Sequence, residues 1–333
     1  MGSAMADMTP PADAPAFLAS VGWEGAVIAP LAGDASFRRY FRVTLEGRSA
    51  VLMDAPPPHE DPRPFIAIAR WLVARGFAAP AILGADEARG LVLIEDFGDD
   101  RMREAIEADP DQAMALYSGA VDLLAALRGH APEGLAPYDA AVLHREAGLF
   151  PEWYCPAVGL DVDVAGYRAA WEQVFAHAIT DNPVTVLRDY HVENLMLVGP
   201  MRGLGLLDFQ DALAGHAAYD LVSLLQDARR DVEPSIEQAM LERYLAATGE
   251  GDAFLRAYHV LGAQRNAKIL GIFTRLWKRD GKPRYAGLCP RVWAYLERDL
   301  SQPVLAPVAA WFDDNVPPEL RGDPHLLAAR GNG

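Results

Sequence analysis

Only Cys155 and Cys289 occur in the 333 residues, far apart and without metal-ligating company in the sequence. That scarcity argues against a disulfide framework or a cysteine metal site, and it suits two buried free thiols in a reducing cytosol. Positive charge is also short: 30 Lys and Arg stand against 46 Asp and Glu, for a formal charge of −16. Phosphate backbones demand a basic face, so general nucleic-acid binding is disfavoured, and any cations that meet phosphate must be concentrated locally. No apolar run approaches the roughly 20 residues of a membrane span. No secretory signal stands at the start, and residues 1–5 read as an expression scar ahead of a second start. Internal repeats and low-complexity segments are absent from the sequence as well.

What is present suits a globular chain. Half of it, 51%, is apolar, and 333 residues can bury a large core in two lobes. After Pro10, Pro11 and Pro15, the run containing Phe17, Leu18 and Trp23 predicts a short leading helix packed on the small lobe. Residues 27–31, 40–44 and 49–54 predict three strands, with a tight turn over 33–39. Apolar positions 65, 68, 69 and 72 fall on one helical face, closed by Gly76. Residues 91–94 predict a buried strand, and from Pro110 onward the pattern is mostly helical. The proline-rich tail from Ser301 is expected to wrap or fray.

Chemistry concentrates in Arg188-Asp189-Tyr190-His191-Val192-Glu193-Asn194 and in Leu206-Leu207-Asp208-Phe209-Gln210-Asp211. The first reads as a catalytic loop and the second as the end of a strand that presents a carboxylate. Phosphoryl transfer from ATP requires one carboxylate to take the proton of the attacking hydroxyl, and an amide and a carboxylate to hold Mg²⁺ on the triphosphate. Asp189, Asn194 and Asp208 supply that set in that order.

With His191 two positions after Asp189, the pair of motifs resembles the aminoglycoside phosphotransferase and choline kinase superfamily. Its loop reads H-x-D-x-H-x-x-N and its metal strand I-D-[FW]-x-[DE]. The resemblance implies an α+β, two-lobed, protein-kinase-like fold: a small antiparallel-sheet lobe over 1–96 and a mostly helical lobe over 97–333. It implies Asp189 as base and Asn194 and Asp208 as metal ligands. Leu187 departs from the usual histidine, which bears on how the loop is braced and not on reaction type. Asp220, at the start of a helix, corresponds to the aspartate that holds this loop's backbone; a helix-start acid favoured by the dipole is the simpler alternative.

The third strand, where kinases carry a phosphate-pairing lysine, contains none: it reads Val51-Leu52-Met53-Asp54-Ala55-Pro56-Pro57. Arg38 and Arg39 are the local cations that could replace it, or else ordinary surface arginines. The tip around Ser36 could bring backbone N–H groups to phosphate, or could be an ordinary hairpin. Glu95 and Phe97 leave the buried strand where the superfamily hydrogen-bonds adenine through main-chain groups. The third strand and the 33–42 segment together are similar to bacterial anomeric kinases of N-acetylmuramate and N-acetylglucosamine in peptidoglycan recycling.

For the acceptor, Glu146 is expected to meet a substrate hydroxyl, beside aromatics that stack on sugar or fill the core, and His191 is placed with it. Gln264, Arg265, Lys268 and Arg275 stand on an otherwise apolar helix, as an anion pocket or as buried ion pairs. A lactyl carboxylate would suit Arg265 and Lys268. The expected activity is thus a cytoplasmic, ATP- and Mg²⁺-dependent kinase of a small amino sugar, with no nucleic acid, membrane or obligate protein partner. An aminoglycoside or choline-type kinase is the nearest alternative, and a catalytically dead kinase-like binding module the more distant one.

Overall fold

The structure, a computed structural model, describes residues 9–31, 37–199 and 201–331. It groups the chain into two compact units. The first takes in the chain through Leu116 and again Val192–Ala212; the second takes in Tyr117–His191 and everything from Leu213.

In the first unit, α1 (Ala14–Ser20) is followed by β1 (Val27–Pro30), β2 (Arg39–Leu45) and β3 (Arg48–Asp54). Then come α2 (Arg63–Ala74), β4 (Ile82–Asp86), β5 (Leu91–Glu95) and α3 (Met102–Ala108). The five strands form one antiparallel sheet in the order β1-β2-β3-β5-β4. Phe41 and Val43 alternate out of β2 onto one face, where they join Ala50, Leu52, Leu91 and Leu93 beneath Phe17, Leu18 and Trp23. The leading helix thus docks on the sheet as its apolar residues predict. Residues 50–54 of β3 are buried without alternation, because both faces of a central strand are covered here. Pro64 in the first turn of α2 costs no hydrogen bond, since that N–H has no helical partner.

Phe97, the expected point of division, lies inside this first unit. Two bridges explain why the unit runs on: Arg101 pairs with Met196, and Ala78 with Gly205. They bring in the hairpin of β7 (Leu195–Leu197) and β8 (Leu204–Leu206), later in the chain. Gly205 is required there, since a Cβ would stand 2.7 Å from the ring of Phe97.

The chain passes into the second unit within α4 (Ala113–Leu127). That unit holds α5 (Ala140–Ala147), a π-turn over Phe150–Tyr154, α6 (Cys155–Ala157) and α7 (Val164–Val174). A two-stranded pair, β6 (Val184–Val186) with β9 (Leu213–Gly215), precedes α8 (Ala218–Leu225), α9 (Pro234–Thr248) and α10 (Asp252–Lys278). The centre of α10 is buried on every side, as a core helix must be, and Gly271 admits the carbonyl of Leu149 where a Cβ would clash at 2.3 Å. Cys155 and Cys289 are both free and buried.

The tail does not fray. Beyond α11 (Cys289–Leu300), α12 (Ala306–Asn315) buries Val308, Trp311 and Phe312, and α13 (Pro324–Gly331) follows. Tyr154 fixes the segment between them: its hydroxyl lies 2.8 Å from the carbonyl of Leu320 and 2.9 Å from the amide of Gly322. The prolines of this tail begin helices rather than breaking them. Among the described residues, no helix is long and apolar enough to cross a membrane.

Candidate active site

In the second unit, β6 delivers the chain to Leu187-Arg188-Asp189-Tyr190-His191. The loop is held from below. Both oxygens of Asp220, in the first turn of α8, accept backbone N–H bonds, from Leu187 at 2.6 Å and Arg188 at 2.8 Å. Arg188 adopts a left-handed φ of 72°, which an L side chain resists by about 1 kcal/mol or more. Ser223 donates to the Arg188 carbonyl at 3.2 Å, and Tyr190 donates to the carbonyl of Ala120 at 2.8 Å. Leu187 fills the bracing position as a buried apolar side chain.

Asp189 is half-buried. Burial alone would push its carboxyl up, but His191 and the cations of Lys268, Arg265 and Arg188 outweigh that and hold it below the usual carboxylate range. Burial, with Arg229 and Arg265, pushes the His191 imidazole itself down to about 3. An ionised carboxylate among cations in a partly dry place is a competent proton acceptor.

Beside it, Glu146 is 5% exposed, and its polar contacts are internal. It pairs with Arg188, with Lys268 at 2.9 Å, and with the hydroxyl of Tyr138, which donates a short hydrogen bond. A substrate hydroxyl would have to compete with all three. Lys268 also reaches Tyr219 at 3.2 Å, and Arg265, 4% exposed, donates to Ser223 at 2.8 Å. For Lys268, then, the basic stripe on α10 is at least partly an ion pair. His191, 3% exposed, lies 3.2 Å from Arg229.

In the first unit, a 3₁₀ turn over Val192–Asn194 leads straight into β7. The amide of Leu207 donates to the carbonyl of Asn194 at 3.0 Å, so the residues flanking the β7–β8 hairpin, Asn194 and Asp208, are neighbours. Asp208 also takes a left-handed φ, 57°, and accepts from Gln210 at 2.8 Å. Phe209 is buried flat against Phe65, ring centroids 5.0 Å apart, which anchors the turn to α2.

Arg38 and Arg39 go different ways. Arg39 donates twice to the buried carboxylate of Asp54, its cross-strand partner, at 2.6 and 2.9 Å. Arg38 lies 3.5 Å from Glu60 and by the hydroxyl of Tyr40. Burial raises that hydroxyl to about 12, with Arg38 opposing and Asp208 and Glu60 adding to the rise, so Arg38 and Asp208 share one electrostatic neighbourhood. Glu95 pairs with Arg202, whose guanidinium sits 5.2 Å from the ring centre of Phe97. The Glu95 amide donates to the carbonyl of Ala81 at 2.9 Å, and Arg42 pins the exit strand through Asp96 and Asp99. Ser36 lies outside the described residues.

Tyr138, Ser223 and Arg229 did not stand out in the sequence. Their partners are 8, 42 and 38 positions away, and no local pattern marks them.

Residues 27–258 match the model of the APH phosphotransferase enzyme family, and the chain belongs to that family. Among its relatives are the N-acetylmuramate/N-acetylglucosamine kinases of Caulobacter vibrioides and Pseudomonas aeruginosa. The first is 41% identical, with 92% of this chain and 96% of the relative covered; the second is also 41% identical, over 85% and 87%. The choline kinase LicA from Streptococcus pneumoniae shares the fold, with a TM-score of 0.59 at 13% identity, over 87% of this chain and 96% of that one.

Proposed function

We propose that this protein is a cytoplasmic kinase that transfers the γ-phosphoryl group of ATP to the anomeric hydroxyl of N-acetylmuramate and N-acetylglucosamine. The observation that supports the reaction type is Asp189 on a loop whose two preceding N–H groups, of Leu187 and Arg188, are held by the carboxylate of Asp220. The choice of sugar is supported by the names and coverage of the relatives.

Asp189 takes the proton of the anomeric hydroxyl, the more acidic hydroxyl of a reducing sugar. The sugar oxygen bonds to the γ-phosphorus as the bond from that phosphorus to the bridging oxygen breaks, and ADP leaves. Asn194 and Asp208 would hold Mg²⁺. One carboxylate and one amide oxygen, on adjacent stretches of chain that the Leu207–Asn194 backbone hydrogen bond joins, would suit a hard cation that takes its remaining oxygens from phosphates and water. When bound, the ion neutralises charge on the triphosphate. Arg38, which shares the electrostatic neighbourhood of Asp208, stands in for the absent lysine, and Arg39 pairs with Asp54. The Phe97 main chain meets adenine. Arg265 and Lys268 favour an acceptor bearing a carboxylate, and Glu146 steadies Lys268 and Arg188 between them.

An aminoglycoside or choline-type kinase is disfavoured by those same cations, which would repel a cationic acceptor near Asp189. The deciding experiment supplies ATP and Mg²⁺ with N-acetylmuramate, N-acetylglucosamine, choline or an aminoglycoside, and reads ADP release and the ³¹P spectrum of the product. An acid-labile phosphate at the anomeric carbon is expected with the two amino sugars. No turnover with either sugar, or phosphate on another hydroxyl, would overturn the reading.

A further inference from the structure

His191 follows Asp189 by two residues, and its Nε2 lies 3.2 Å from Nη1 of Arg229. A guanidinium has five N–H donors and no acceptor. The imidazole nitrogen facing it must therefore carry the lone pair, and the ring proton must sit on Nδ1. The other tautomer would aim two N–H groups at each other and forfeit the Arg229 hydrogen bond. Arg229 is itself placed by its backbone, whose N–H donates at 2.9 Å to Asp227, 1% exposed, just past the end of α8. The His191 amide donates to the Asp189 carbonyl at 3.2 Å, so the ring is carried on the same tight turn as Asp189 and its polarity is felt there.

We propose that Arg229 is a positioning residue of the catalytic loop, which selects the Nδ1–H tautomer of His191 and so sets the polarity that the imidazole presents beside Asp189. Its effect on turnover rests on Asp189 being the base; its effect on the tautomer does not.

Histidine labelled with ¹⁵N in the intact protein, with His191 assigned by the loss of its signals in His191→Gln, reports the tautomer in long-range ¹H–¹⁵N correlation spectra. The Nδ1–H form is expected in the unsubstituted protein. Arg229→Met should give a mixed or reversed tautomer and lower kcat roughly ten- to a hundred-fold, the usual effect of a lost supporting contact, with KM for ATP and sugar unchanged. Arg229→Lys keeps a donor and should keep the Nδ1–H form and most of the turnover. An Nε2–H signal in the unsubstituted protein overturns the proposal. So does Arg229→Met with the tautomer unmoved, or with the tautomer moved and kcat intact. If Arg229→Met does not fold, the unsubstituted spectrum and Arg229→Lys decide. Absence of any kinase activity would sink the functional reading alone, because the tautomer is read from the spectrum whether or not the protein turns over.

Discussion

Asp220 holds Arg188 in a left-handed conformation: its Oδ1 accepts the Arg188 N–H at 2.8 Å where φ is 72°. Its other oxygen takes the Leu187 N–H, so one side chain orders the residue pair that leads into Asp189. Burial pushes the Asp220 carboxyl up to about 7, against those two hydrogen bonds and Arg265. Only the carboxylate accepts both N–H groups with full strength. Turnover should therefore fall as pH drops through about 7, and a kcat/KM profile from pH 5 to 9 should show that acid limb. Asp220→Asn should lose the limb and run at a low, flat rate. A full-height limb in the variant would assign it elsewhere.

Asp189→Asn keeps shape and removes the proposed proton acceptor. A loss of about 10²–10⁴ in kcat is expected, the usual size of a general-base contribution, with KM for ATP little altered. Steady-state kinetics beside a melting curve checks it, since the substitution should not lower Tm.

Arg38→Ala and Arg39→Ala should fail in different ways. The first should raise KM for ATP and leave stability nearly intact. The second leaves the buried Asp54 without its guanidinium, and should cost roughly 1–3 kcal/mol of stability in a urea titration. Equal effects of the two on KM would remove Arg38 from the phosphate site.

Acid stability separates His191 from Asp220. The His191 imidazole is pushed by burial and Arg229 to about 3, from an ordinary 6.5. Its folded pKa is depressed, so its contribution is full above pH 6.5 and is lost as pH falls towards 3. A depression from 6.5 to about 3 corresponds to roughly 5 kcal/mol at most. Asp220 is raised from 3.8 to about 7, so its contribution is full below pH 4 and is lost as pH rises to 7. The two oppose each other between pH 4 and 6.5. Denaturant titrations should show His191→Gln gaining stability relative to the unsubstituted protein as pH falls from 7 to 5. A constant difference would mean that the histidine is not buried neutral.

Much of this was legible along the chain. Residues 40–44 and 91–94 read as the strands they form, and the order of Asp189, Asn194 and Asp208 pointed to phosphoryl transfer. β4 was not legible, because a sheet-edge strand containing Gly84 and a half-exposed Leu83 shows no buried face. The ions near Asp189 show the other limit. Composition identified Glu146, Arg265 and Lys268 as unusual, but which charge answers which is decided by packing: Lys268 meets Glu146 across 122 positions of sequence. Whether the tail from Ser301 wraps or frays was open for the same reason, since what holds it is a tyrosine and aromatics more than a hundred residues earlier.

That tyrosine has a practical bearing. Its hydroxyl is the meeting point of the Leu320 and Gly322 main chain and the Trp293 indole. Trimming the protein ahead of Leu320 would therefore strip partners from a phenol deep in the second unit and loosen a helix far from the cut. Tags are better joined at the last residues than substituted for them.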